Sequence, residues 1–477
     1  MVRVLSVASE CAPLIKTGGL ADVVGALPAA LAGLGATLRT MIPGYPQVAG
    51  QLNKPRTVAK IDNLFGGPAR ILSAEAAGLA LLVVDAPHLF DREGGIYLDA
   101  AGHDWPDNPL RFAALSYAAA HVAVHGAGKW RPDVVHGHDW QAGLVLEYMH
   151  ALGGDAKTPF IFTIHNVAFH GNAPGNMLEQ LQLDPWRFNA DHFEFWGQIS
   201  ALKAGLMGAD KITTVSQTYA EELMTDTFGM GMEGVLRHRQ ADLTGIVNGI
   251  DTDVWNPATD PEIQSYKTPR GKAANKKKLQ AAFGLEPAGG PLCVLISRLT
   301  SQKGIDLLIE ALPALLDNDG QLALLGSGEP ALEVALHKLA AAHPNVGVQI
   351  GYDEALSHRM MAGGDAILVP SRFEPCGLTQ LYGLRYGTVP LVGLTGGLAD
   401  TVINASPAAL SSGAATGVQF FPVTAGALGN AFHRLSALYA APKIWAQLQR
   451  NGMKQAVGWE RSAVEYHALY AGLAASD

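Results

Sequence analysis

The sequence predicts an α/β protein with two doubly wound domains, each built around a mainly parallel sheet. Short apolar segments of strand length alternate with amphipathic or alanine-rich segments of helix length, a pattern typical of parallel sheets covered by helices. This alternation runs through two successive series that meet near Asp242–Asn248. The 477 residues allow two or three domains, and a composition of 48% hydrophobic and 16% charged residues favours large buried cores over disorder.

The first series contains short apolar segments separated by helical patterns such as Leu20–Leu34 and Arg111–His125. Its predicted strands are Val2–Ala8, Leu38–Ile42, Leu79–Val84, Asp133–His136, Phe160–Ile164 and Lys211–Val215. We therefore expect a first domain over residues 1–242.

The second series has the same character, with helical patterns such as Asp306–Leu316 and Pro330–Ala342 between its strands. Its predicted strands are Gly245–Val247, Leu292–Ile296, Gln321–Leu325, Val346–Ile350, Ala366–Val369 and Val389–Val392. We expect this domain over residues 243–458. The final segment, residues 459–477, contains a helical pattern over Trp459–Ala475 and is expected to join the first domain.

Charge and cysteine content exclude several classes of protein. A formal net charge of -9 argues against a general nucleic-acid-binding protein, which usually carries a basic face. No apolar run approaches the ~20 residues that a membrane-spanning helix needs. Cys11, Cys293 and Cys376 are odd in number and widely spaced, so they predict neither a disulfide framework nor a zinc pair. The chain enters a strand directly after Met1 without a signal-peptide pattern, so we expect a cytoplasmic protein with no membrane or nucleic-acid partner.

One hexapeptide, Thr-Gly-Gly-Leu-Ala-Asp, occurs at Thr17–Asp22 and again at Thr395–Asp400. In each copy two glycines precede a helical pattern, with the aspartate expected in the first turn of the helix. A single copy is explained by a turn into a helix, because glycine supplies free backbone angles and aspartate favours the helix dipole. One copy in each domain indicates instead two backbone clamps for a ligand beyond the carboxyl ends of strands.

The stretch Val369–Thr401 is where the sequence indicates chemistry most strongly. Glu374 lies between an aromatic residue and a proline, directly after the predicted strand Ala366–Val369. The next residues, Cys376–Thr379, present backbone N–H groups where a helix begins, which is a ready anion site. An acid beside a phosphate-binding loop predicts a sugar substrate whose leaving group is a phosphate. The alternative is that Glu374 only caps the helix N-terminus.

Three cations have positions suited to a phosphate. Arg298 and Lys303 lie in the turn after the predicted strand Leu292–Ile296, where doubly wound domains bind ligands. Arginine can grip two phosphate oxygens, and lysine supplies a mobile point charge. Lys16 precedes the first hexapeptide and a helix N-terminus, so it is a further diphosphate candidate. The alternative for all three is an exposed surface cation.

Patterns for metals and dinucleotides are present but weak. The histidines at positions 136, 138, 165 and 170 follow predicted strands, yet their spacing does not match a metal site, so they are either hydroxyl-binding groups or satisfied structural residues. Asp251 and Asp253 resemble the Asp-x-Asp metal clamp of sugar transferases but bring few further ligands. Gly326–Ala331 fits Gly-x-Gly-x-x-Ala, but it lies deep in the second domain. We therefore expect no metal and no cofactor.

Five motifs together resemble the bacterial glycogen synthase and plant starch synthase family. The motifs are Lys16–Val23, His138–Trp140, Asn248–Asp251, Ser297–Gly304 and Arg372–Gln380. They span nearly the whole chain in order. The resemblance implies the GT-B type of fold, with two Rossmann-like domains and an active site in the cleft between them. It also implies transfer of glucose from ADP-glucose to the non-reducing end of an α-1,4-glucan such as glycogen, with retained anomeric configuration and without a metal.

The resemblance assigns roles to residues that match the family's motifs. It implies catalytic roles for Glu374, Arg298, Lys303, His165 and Asp139. It implies substrate-binding roles for Lys16, Gly18, Gly19, Asp22, Tyr97, Asn166, Asn248, Tyr352, Cys376, Gly377, Leu378 and Thr379. Within these sets, Glu374 would bind the glucose 3- and 4-hydroxyls and His165 would lie near the 6-hydroxyl. Tyr97 would lie on the acceptor side, and Tyr352 would stack on adenine.

One position departs from the broader superfamily. Many retaining members carry a second glutamate eight residues after the first, and here Tyr382 occupies that position. The ribose contacts are therefore left unassigned. Other functions stay open at this point: a glucosyltransferase that uses another nucleotide sugar such as UDP-glucose, a glucan phosphorylase, a non-catalytic glucan-binding protein and a Rossmann oxidoreductase.

Overall fold

The computed structural model describes residues 1–99, 101–154 and 158–475. The chain divides into two compact units. Unit 1 comprises Met1–Ile246 with Trp459–Asp477, and unit 2 comprises Val247–Gly458. Each unit is an α/β structure with its own sheet and hydrophobic core.

Unit 1 opens directly with a buried strand and continues with alternating strands and helices. Its strands are β1 (Val2–Val7), β2 (Ala36–Pro43), β3 (Asn53–Ile61), β4 (Ala69–Ala76), β5 (Leu79–Asp85), β6 (Val134–His138), β7 (Phe160–Ile164), β8 (Asn172–Pro174), β9 (Glu194–Phe195), β10 (Gln198–Ser200), β11 (Lys211–Thr214) and β12 (Leu243–Gly245). Its helices before residue 246 are α1 (Gly19–Ala32), α2 (Pro46–Ala49), α3 (Pro87–Phe90), α4 (Asn108–His125), α5 (Val145–Ala151), α6 (Ala201–Gly208), α7 (Gln217–Leu223) and α8 (Glu233–His238). Short 3₁₀ turns lie at Trp140–Ala142, Gly175–Met177 and Pro185–Arg187.

The described part of unit 1 forms a nine-stranded sheet in the order β12-β11-β7-β6-β1-β2-β5-β4-β3. The strands from β12 to β5 are parallel, and β4 and β3 add an antiparallel extension at one edge. The strands β3 and β4 were not among the predicted strands. Most side chains of β3 face solvent, so this strand lacks the apolar pattern that marks the central strands.

The boundary between the units, after Ile246, lies within the predicted stretch Asp242–Asn248, but one strand there belongs to the other unit than expected. The predicted strand Gly245–Val247 was assigned to the second domain, but the observed strand β12 pairs in parallel with β11 in the sheet of unit 1. Residues 243–246 therefore belong to unit 1, and Ile246 lies in its core. Gly245 permits a close approach here, because a Cβ atom at this position would lie 2.1 Å from the carbonyl oxygen of Ser216.

Strands and helices also alternate along unit 2. Its strands are β13 (Leu292–Ile296), β14 (Gln321–Gly326), β15 (Val346–Ile350), β16 (Ala366–Val369), β17 (Val389–Gly393) and β18 (Val418–Phe420). Its helices are α9 (Lys272–Ala282), α10 (Ile305–Leu316), α11 (Pro330–Ala342), α12 (Glu354–Gly363), α13 (Thr379–Tyr386), α14 (Gly396–Thr401), α15 (Pro407–Ser411), α16 (Ala425–Tyr439) and α17 (Pro442–Met453). Short 3₁₀ turns lie at Pro269–Gly271 and Ser301–Lys303.

Within residues 247–458 the strands form a six-stranded parallel sheet in the order β15-β14-β13-β16-β17-β18. Both faces of this sheet are buried under helices, which explains why its strands are continuous apolar runs. On one face, Leu308 and Leu312 of α10 belong to the same core as Phe432 of α16. The order reverses beside β13, so ligands are expected beyond the carboxyl ends of β13 and β16.

The C-terminal helix α18 (Glu460–Ala474) packs on unit 1. Its buried Tyr466 and Tyr470 join the core that contains Val4 and Leu27. The Tyr470 hydroxyl also lies 2.8 Å from Nδ1 of His136 in β6. The last helix therefore contributes both apolar and polar contacts to the sheet of unit 1.

Among the described residues, no helix has the length and apolar character needed to cross a membrane.

Candidate functional site

In unit 1, polar residues collect beyond the carboxyl ends of three neighbouring parallel strands. Glu10 follows β1, Asp139 follows β6, and His165 and Asn166 follow β7. Because β1, β6 and β7 are adjacent and parallel, their following loops meet at one edge of the sheet. The loops bring together residues that are far apart in the sequence.

Glu10, which was not among the predicted site residues, organises the first of these loops. Its carboxylate is buried and accepts hydrogen bonds from the backbone N–H groups of Thr17 and, at 3.1 Å, Gly18. The Tyr97 hydroxyl donates to Oε1 of Glu10 at 2.6 Å. Burial and the adjacent carboxylate raise the pKa of Tyr97, so this hydroxyl stays protonated and acts as a donor. The sequence signal that could have identified Glu10 is an acidic residue in the loop that follows the first strand.

The glycine loop that Glu10 holds leaves open space at the start of α1. A Cβ atom at Gly18 or Gly19 would meet no other atom within 4 Å, and no side chain caps this helix. Nζ of Lys16 lies 2.8 Å from Oδ1 of Asp22 in the first turn, and both side chains are partly exposed. The loop therefore presents a cation and a helix N-terminus to solvent, which suits an anionic ligand.

Asp139 fixes the loop that follows β7. Its backbone has the unusual φ of +53°, and its Oδ1 accepts the N–H groups of His165 at 2.7 Å and Asn166 at 3.3 Å. Burial raises the pKa of Asp139 to about 7, although the two N–H groups oppose this effect by stabilising the charged form. Asp139, His165 and Asn166, all predicted site residues, are thus held together by direct hydrogen bonds.

The histidines form a neutral polar network. Nδ1 of His138 lies 3.0 Å from Nε2 of His165, and Nε2 of His138 lies 3.1 Å from the Ser6 hydroxyl. Nε2 of His136 lies 2.6 Å from the Thr163 hydroxyl. Burial lowers the pKa of His136 and His165 to about 3 and holds that of His138 well below its usual value. His136 and His138 are fully buried with their ring nitrogens hydrogen-bonded, so the structural interpretation applies to these two.

The weak metal patterns gain no support from the geometry. Across the described residues, no three His, Cys, Asp or Glu side chains are grouped so that they could hold a metal ion. Oδ1 of Asp251 accepts the N–H groups of Asp253 and Val254, so the Asp-x-Asp segment is a local turn.

In unit 2, Glu374 lies at the centre of a charged cluster. The residue is 7% exposed, and its oxygens lie 2.8 and 2.6 Å from Nζ of Lys303. The Ser371 hydroxyl donates to Oε2 at 2.8 Å. A small cavity of about 20 Å³ is lined by Lys303, Glu374, Gly377 and Thr379. Four predicted site residues thus share one cavity, and Lys303, predicted as a phosphate contact, is also the counter-charge of Glu374.

Arg298 stands apart from this cavity. It lies in the turn after β13 with its side chain exposed, and among the described residues it has no ion-pair partner. The turn itself is rigidly held, because Leu299 exchanges backbone hydrogen bonds with Ser327 and Glu329 at 2.9 and 2.8 Å. A Cβ atom at Gly328 would lie 2.2 Å from the Leu299 carbonyl oxygen. The Gly-x-Gly pattern at Gly326–Ala331 therefore shapes the Arg298 turn.

The loop before α13 has the backbone that the sequence predicts for an anion site. Gly377 has a φ of +71°, which favours glycine, and α13 begins at Thr379 after Leu378 without a side-chain cap. Glu374 bonds Lys303 and Ser371, so it is not the cap that the alternative interpretation required. Burial raises the pKa of the Cys376 thiol to about 12, so the thiol is no nucleophile at neutral pH.

The second hexapeptide packs directly behind this loop. Gly396 has a φ of +43°, and Cβ atoms at Gly396 and Gly397 would lie 2.0 Å from the Glu374 carbonyl oxygen and 2.2 Å from that of Cys376. The expectation that Asp400 lies in the first turn is wrong. Here the helix begins one residue earlier in the hexapeptide than α1 does, which moves Asp400 beyond that turn.

The remaining predicted residues of unit 2 have varied surroundings. Asn248 is buried and hydrogen-bonds the Cys376 thiol, while its Oδ1 has no hydrogen-bond partner among the described residues. Tyr352 is 78% exposed and donates a hydrogen bond to Glu354. Tyr382, which replaces the superfamily's second glutamate, stacks on Trp255 with ring centroids 3.8 Å apart.

Comparisons with known proteins connect both units to one group of enzymes. The family model "Starch synthase catalytic domain" matches residues 3–238, and "Glycosyl transferases group 1" matches residues 276–451. The chain is 70% identical to the glycogen synthase of Jannaschia sp. (strain CCS1), over 98% of this chain and 99% of that protein. It is 61% identical to the glycogen synthase of Paracoccus denitrificans (strain Pd 1222), over 100% of both chains.

Solved structures give a matching result. The catalytic domain of starch synthase IV from Arabidopsis thaliana, bound to ADP and acarbose, superposes with a TM-score of 0.88 at 31% sequence identity, covering 99% of each chain. A sucrose-phosphate synthase from Thermosynechococcus elongatus has a TM-score of 0.62 at 20% identity, covering 100% of each chain, and shares the fold.

Proposed function

The chain belongs to the glycogen synthase family, and on this premise we propose that it transfers glucose from ADP-glucose to the non-reducing end of an α-1,4-glucan, with retained anomeric configuration. It is a two-domain α/β glycosyltransferase of the GT-B type that acts in glycogen synthesis. The observation that carries the proposal is the 70% identity to a glycogen synthase over nearly the whole chain. ADP in the related starch synthase structure supports an ADP-linked donor.

Glu374 binds the transferred glucose in this proposal. A carboxylate accepts two hydroxyl hydrogens at once through charge-assisted hydrogen bonds, which suits the adjacent 3- and 4-hydroxyls. Its contact with Lys303 at 2.6 Å pairs it with a positive charge and fixes the direction of its side chain. The negative charge also lies where it can stabilise an oxocarbenium-like state at C1.

The leaving diphosphate is held by positive groups of the same unit. The exposed Arg298 guanidinium is available for two phosphate oxygens, and Lys303 adds a second charge. The backbone N–H groups of Leu378 and Thr379, at the start of α13, supply further donors. Asn248 completes the glucose contacts, and the exposed Tyr352 ring stacks on the adenine.

Unit 1 supplies further contacts to the substrates. Lys16, with the open glycine loop at Gly18 and Gly19, contacts the donor's phosphates. Asp139, His165 and Asn166 contact the glucose, and Tyr97 contacts the acceptor. The neutral state of His165 suits hydrogen bonding to a sugar hydroxyl rather than ion pairing.

The reaction breaks the bond between C1 of glucose and the diphosphate oxygen, and forms a bond between C1 and the 4-hydroxyl oxygen of the acceptor. The electron pair of the broken bond leaves with ADP, where the cations and the helix N-terminus stabilise it. The acceptor attacks from the same face that ADP leaves, and its hydroxyl proton passes to the departing phosphate oxygen.

All three cysteines are buried free thiols, which supports a cytoplasmic location.

The choice of donor is tested by supplying ADP-glucose or UDP-glucose with glycogen and measuring release of ADP or UDP. We expect turnover with ADP-glucose to exceed that with UDP-glucose at equal concentration. Preference for UDP-glucose would make the protein a different nucleotide-sugar glucosyltransferase. Binding of glycogen without release of either nucleotide would make it a non-catalytic glucan-binding protein.

A further inference from the structure

Unit 2 contains a second cavity that shares no lining residue with the Glu374 cavity. It lies beside the carboxyl end of the edge strand β18 and has a volume of about 290 Å³. Its lining includes Leu394, Asn404, Gln419, Phe421, Asn430 and Arg434, and we name it the Phe421 pocket. This volume is close to the lower end of the roughly 300–1,000 Å³ range of small-molecule sites, so a ligand held here must be small, on the scale of one or two sugar units.

Hydrogen bonds fix the polar floor of the Phe421 pocket. Oδ1 of Asn404 accepts the Gln419 backbone N–H at 3.0 Å and an Arg434 guanidinium N–H at 3.1 Å. Arg434 also donates to the Gln419 carbonyl oxygen at 3.2 Å, and the Gln419 side-chain amide donates to the Val402 carbonyl oxygen at 2.7 Å. The side chains are therefore oriented before any ligand binds, which reduces the entropy that binding costs.

Several groups around the pocket remain available to a ligand. Among the described residues, no partner bonds the side-chain amide of Asn430, Nδ2 of Asn404 or Oε1 of Gln419. The Phe421 ring is 72% exposed, and Leu394 beside it is also exposed. An exposed aromatic ring offers a flat apolar surface to the C–H face of a sugar, while amides bond its hydroxyl groups as donors and acceptors.

The charge of the lining favours a neutral ligand. No carboxylate lines the Phe421 pocket, and Arg434 is its one charged residue within the described chain. Two of the arginine's N–H groups already donate to Gln419 and Asn404, which lowers its capacity to hold an anion. Hydroxyl-rich ligands without charge match this combination of ring, amides and satisfied guanidinium.

We propose that the Phe421 pocket is an accessory binding site for one or two glucose units of an α-glucan chain. The proposal rests on the proposed function, because a polymeric acceptor gives a second glucan site its use. A glucan particle held at a second point stays near the enzyme after each transfer, which raises the effective concentration of its chain ends. A short acceptor that cannot engage both sites at once gains nothing from the pocket.

Two variants test the pocket. Phe421→Ala removes the ring, and Asn430→Ala removes an exposed amide on α16. The matched control is Val334→Ala on α11, whose side chain is also apolar and 53% exposed. We expect Phe421→Ala to raise the half-saturating glycogen concentration by about fivefold to tenfold, the effect of losing one aromatic stacking contact. Turnover with ADP-glucose and maltotriose should stay unchanged in every variant.

Direct binding is measured by retardation in native gels that contain glycogen, with thermal unfolding as a check that each variant folds. Glycogen retardation equal to that of the unmodified protein in both pocket variants would overturn the proposal. If Phe421→Ala does not fold, Asn430→Ala decides alone, because its side chain forms no hydrogen bond with any described residue.

The same experiments separate other outcomes. Stabilisation of the protein by inorganic phosphate that Arg434→Gln abolishes, together with unchanged glycogen retardation in Phe421→Ala, would assign the pocket to an anion and overturn the glucan site. If the unmodified protein shows no transfer from ADP-glucose but Phe421→Ala still weakens glycogen retardation, the proposed function fails while the glucan site stands.

Discussion

Arg298 and Lys303 lie in the same turn after β13, but their surroundings differ. Lys303 is largely buried against Glu374, whereas Arg298 is exposed without an ion-pair partner in the described chain. A buried pair contributes to folding as well as to ligand binding, because removing one member leaves the other charge uncompensated. An exposed cation in a rigid turn contributes to stability little or nothing.

Arg298→Ala should therefore separate catalysis from folding. We expect turnover to fall by about 10²–10³, the effect of removing a preorganised charge that stabilises a leaving group. The free energy of unfolding should change by less than about 0.5 kcal/mol, as for other surface substitutions. Steady-state kinetics with ADP-glucose and urea unfolding measure the two quantities.

Lys303→Ala provides the contrast, because it should lower both turnover and the urea midpoint. Near-normal turnover in a folded Arg298→Ala protein would contradict the leaving-group role of Arg298.

At the scale of elements, the turn that carries Arg298 depends on the neighbouring strand. Gly328→Ala places a methyl group where only about 2.2 Å separates it from the Leu299 carbonyl oxygen, so the turn must move. A displacement of about 1 Å at a substrate-positioning group can cost about 10² in rate. We expect Gly328→Ala to lower kcat with ADP-glucose by this order, although Gly328 is not one of the predicted substrate-binding residues.

The matched control is Gly234→Ala in α8, where an added Cβ atom meets nothing within 4 Å. Combining Gly328→Ala with Arg298→Ala distinguishes positioning from general damage. If Gly328 acts through Arg298, the double variant should be no slower than Arg298→Ala alone. Additive losses in rate would show that Gly328 supports catalysis by another route.

The buried histidines of β6 and the loop after β7 make stability depend on pH. The pKa values of His136 and His165 fall from 6.5 to about 3, and that of His138 falls well below 6.5, so the unfolded chain binds up to three more protons as pH falls below 6.5. Asp139 has the opposite effect on the difference in bound protons. Its pKa rises from 3.8 to about 7, so between these pH values the folded state holds one proton that the unfolded chain has lost. The net difference is about two protons, or on the order of 3 kcal/mol per pH unit.

We therefore expect the urea midpoint to fall between pH 6.5 and pH 4.5. Full stability from the histidines is present above pH 6.5 and is lost as pH falls towards about 3. Because the folded state holds His136 neutral, His136→Gln should reduce the proton uptake on unfolding by about one proton. A midpoint independent of pH over this range would contradict the neutral network.

At the scale of the whole molecule, the sequence predicts the two α/β units but not every strand. Central parallel strands are buried on both faces, so their apolar runs are easily recognised. The strand β3 at the edge exposes most of its side chains and carries no such signal. The strand around Gly245 was assigned to the wrong domain because so short a run fits either sheet, and only its pairing with β11 assigns it to unit 1.

The sequence motifs named most residues of the candidate site, but they did not predict which of these residues contact each other. Motifs identified Glu374, Lys303 and Asp139, but pairing across 71 residues between Lys303 and Glu374 is a product of folding that local sequence does not encode. Glu10 was missed because its partners, Tyr97 and the glycine loop, meet it only in three dimensions. Tyr382 was noted as a departure, and the structure explains it as part of an aromatic stack with Trp255.

For the whole chain, we propose that it extends an α-1,4-glucan from ADP-glucose with retained configuration. The most direct measurement supplies ADP-[¹³C]glucose and maltohexaose to the purified protein and determines the linkage of the labelled residue by NMR. The account predicts stoichiometric release of ADP and a labelled glucose in α-1,4 linkage at the non-reducing end. Labelled free glucose as the sole product, or a β-linked residue, would contradict it.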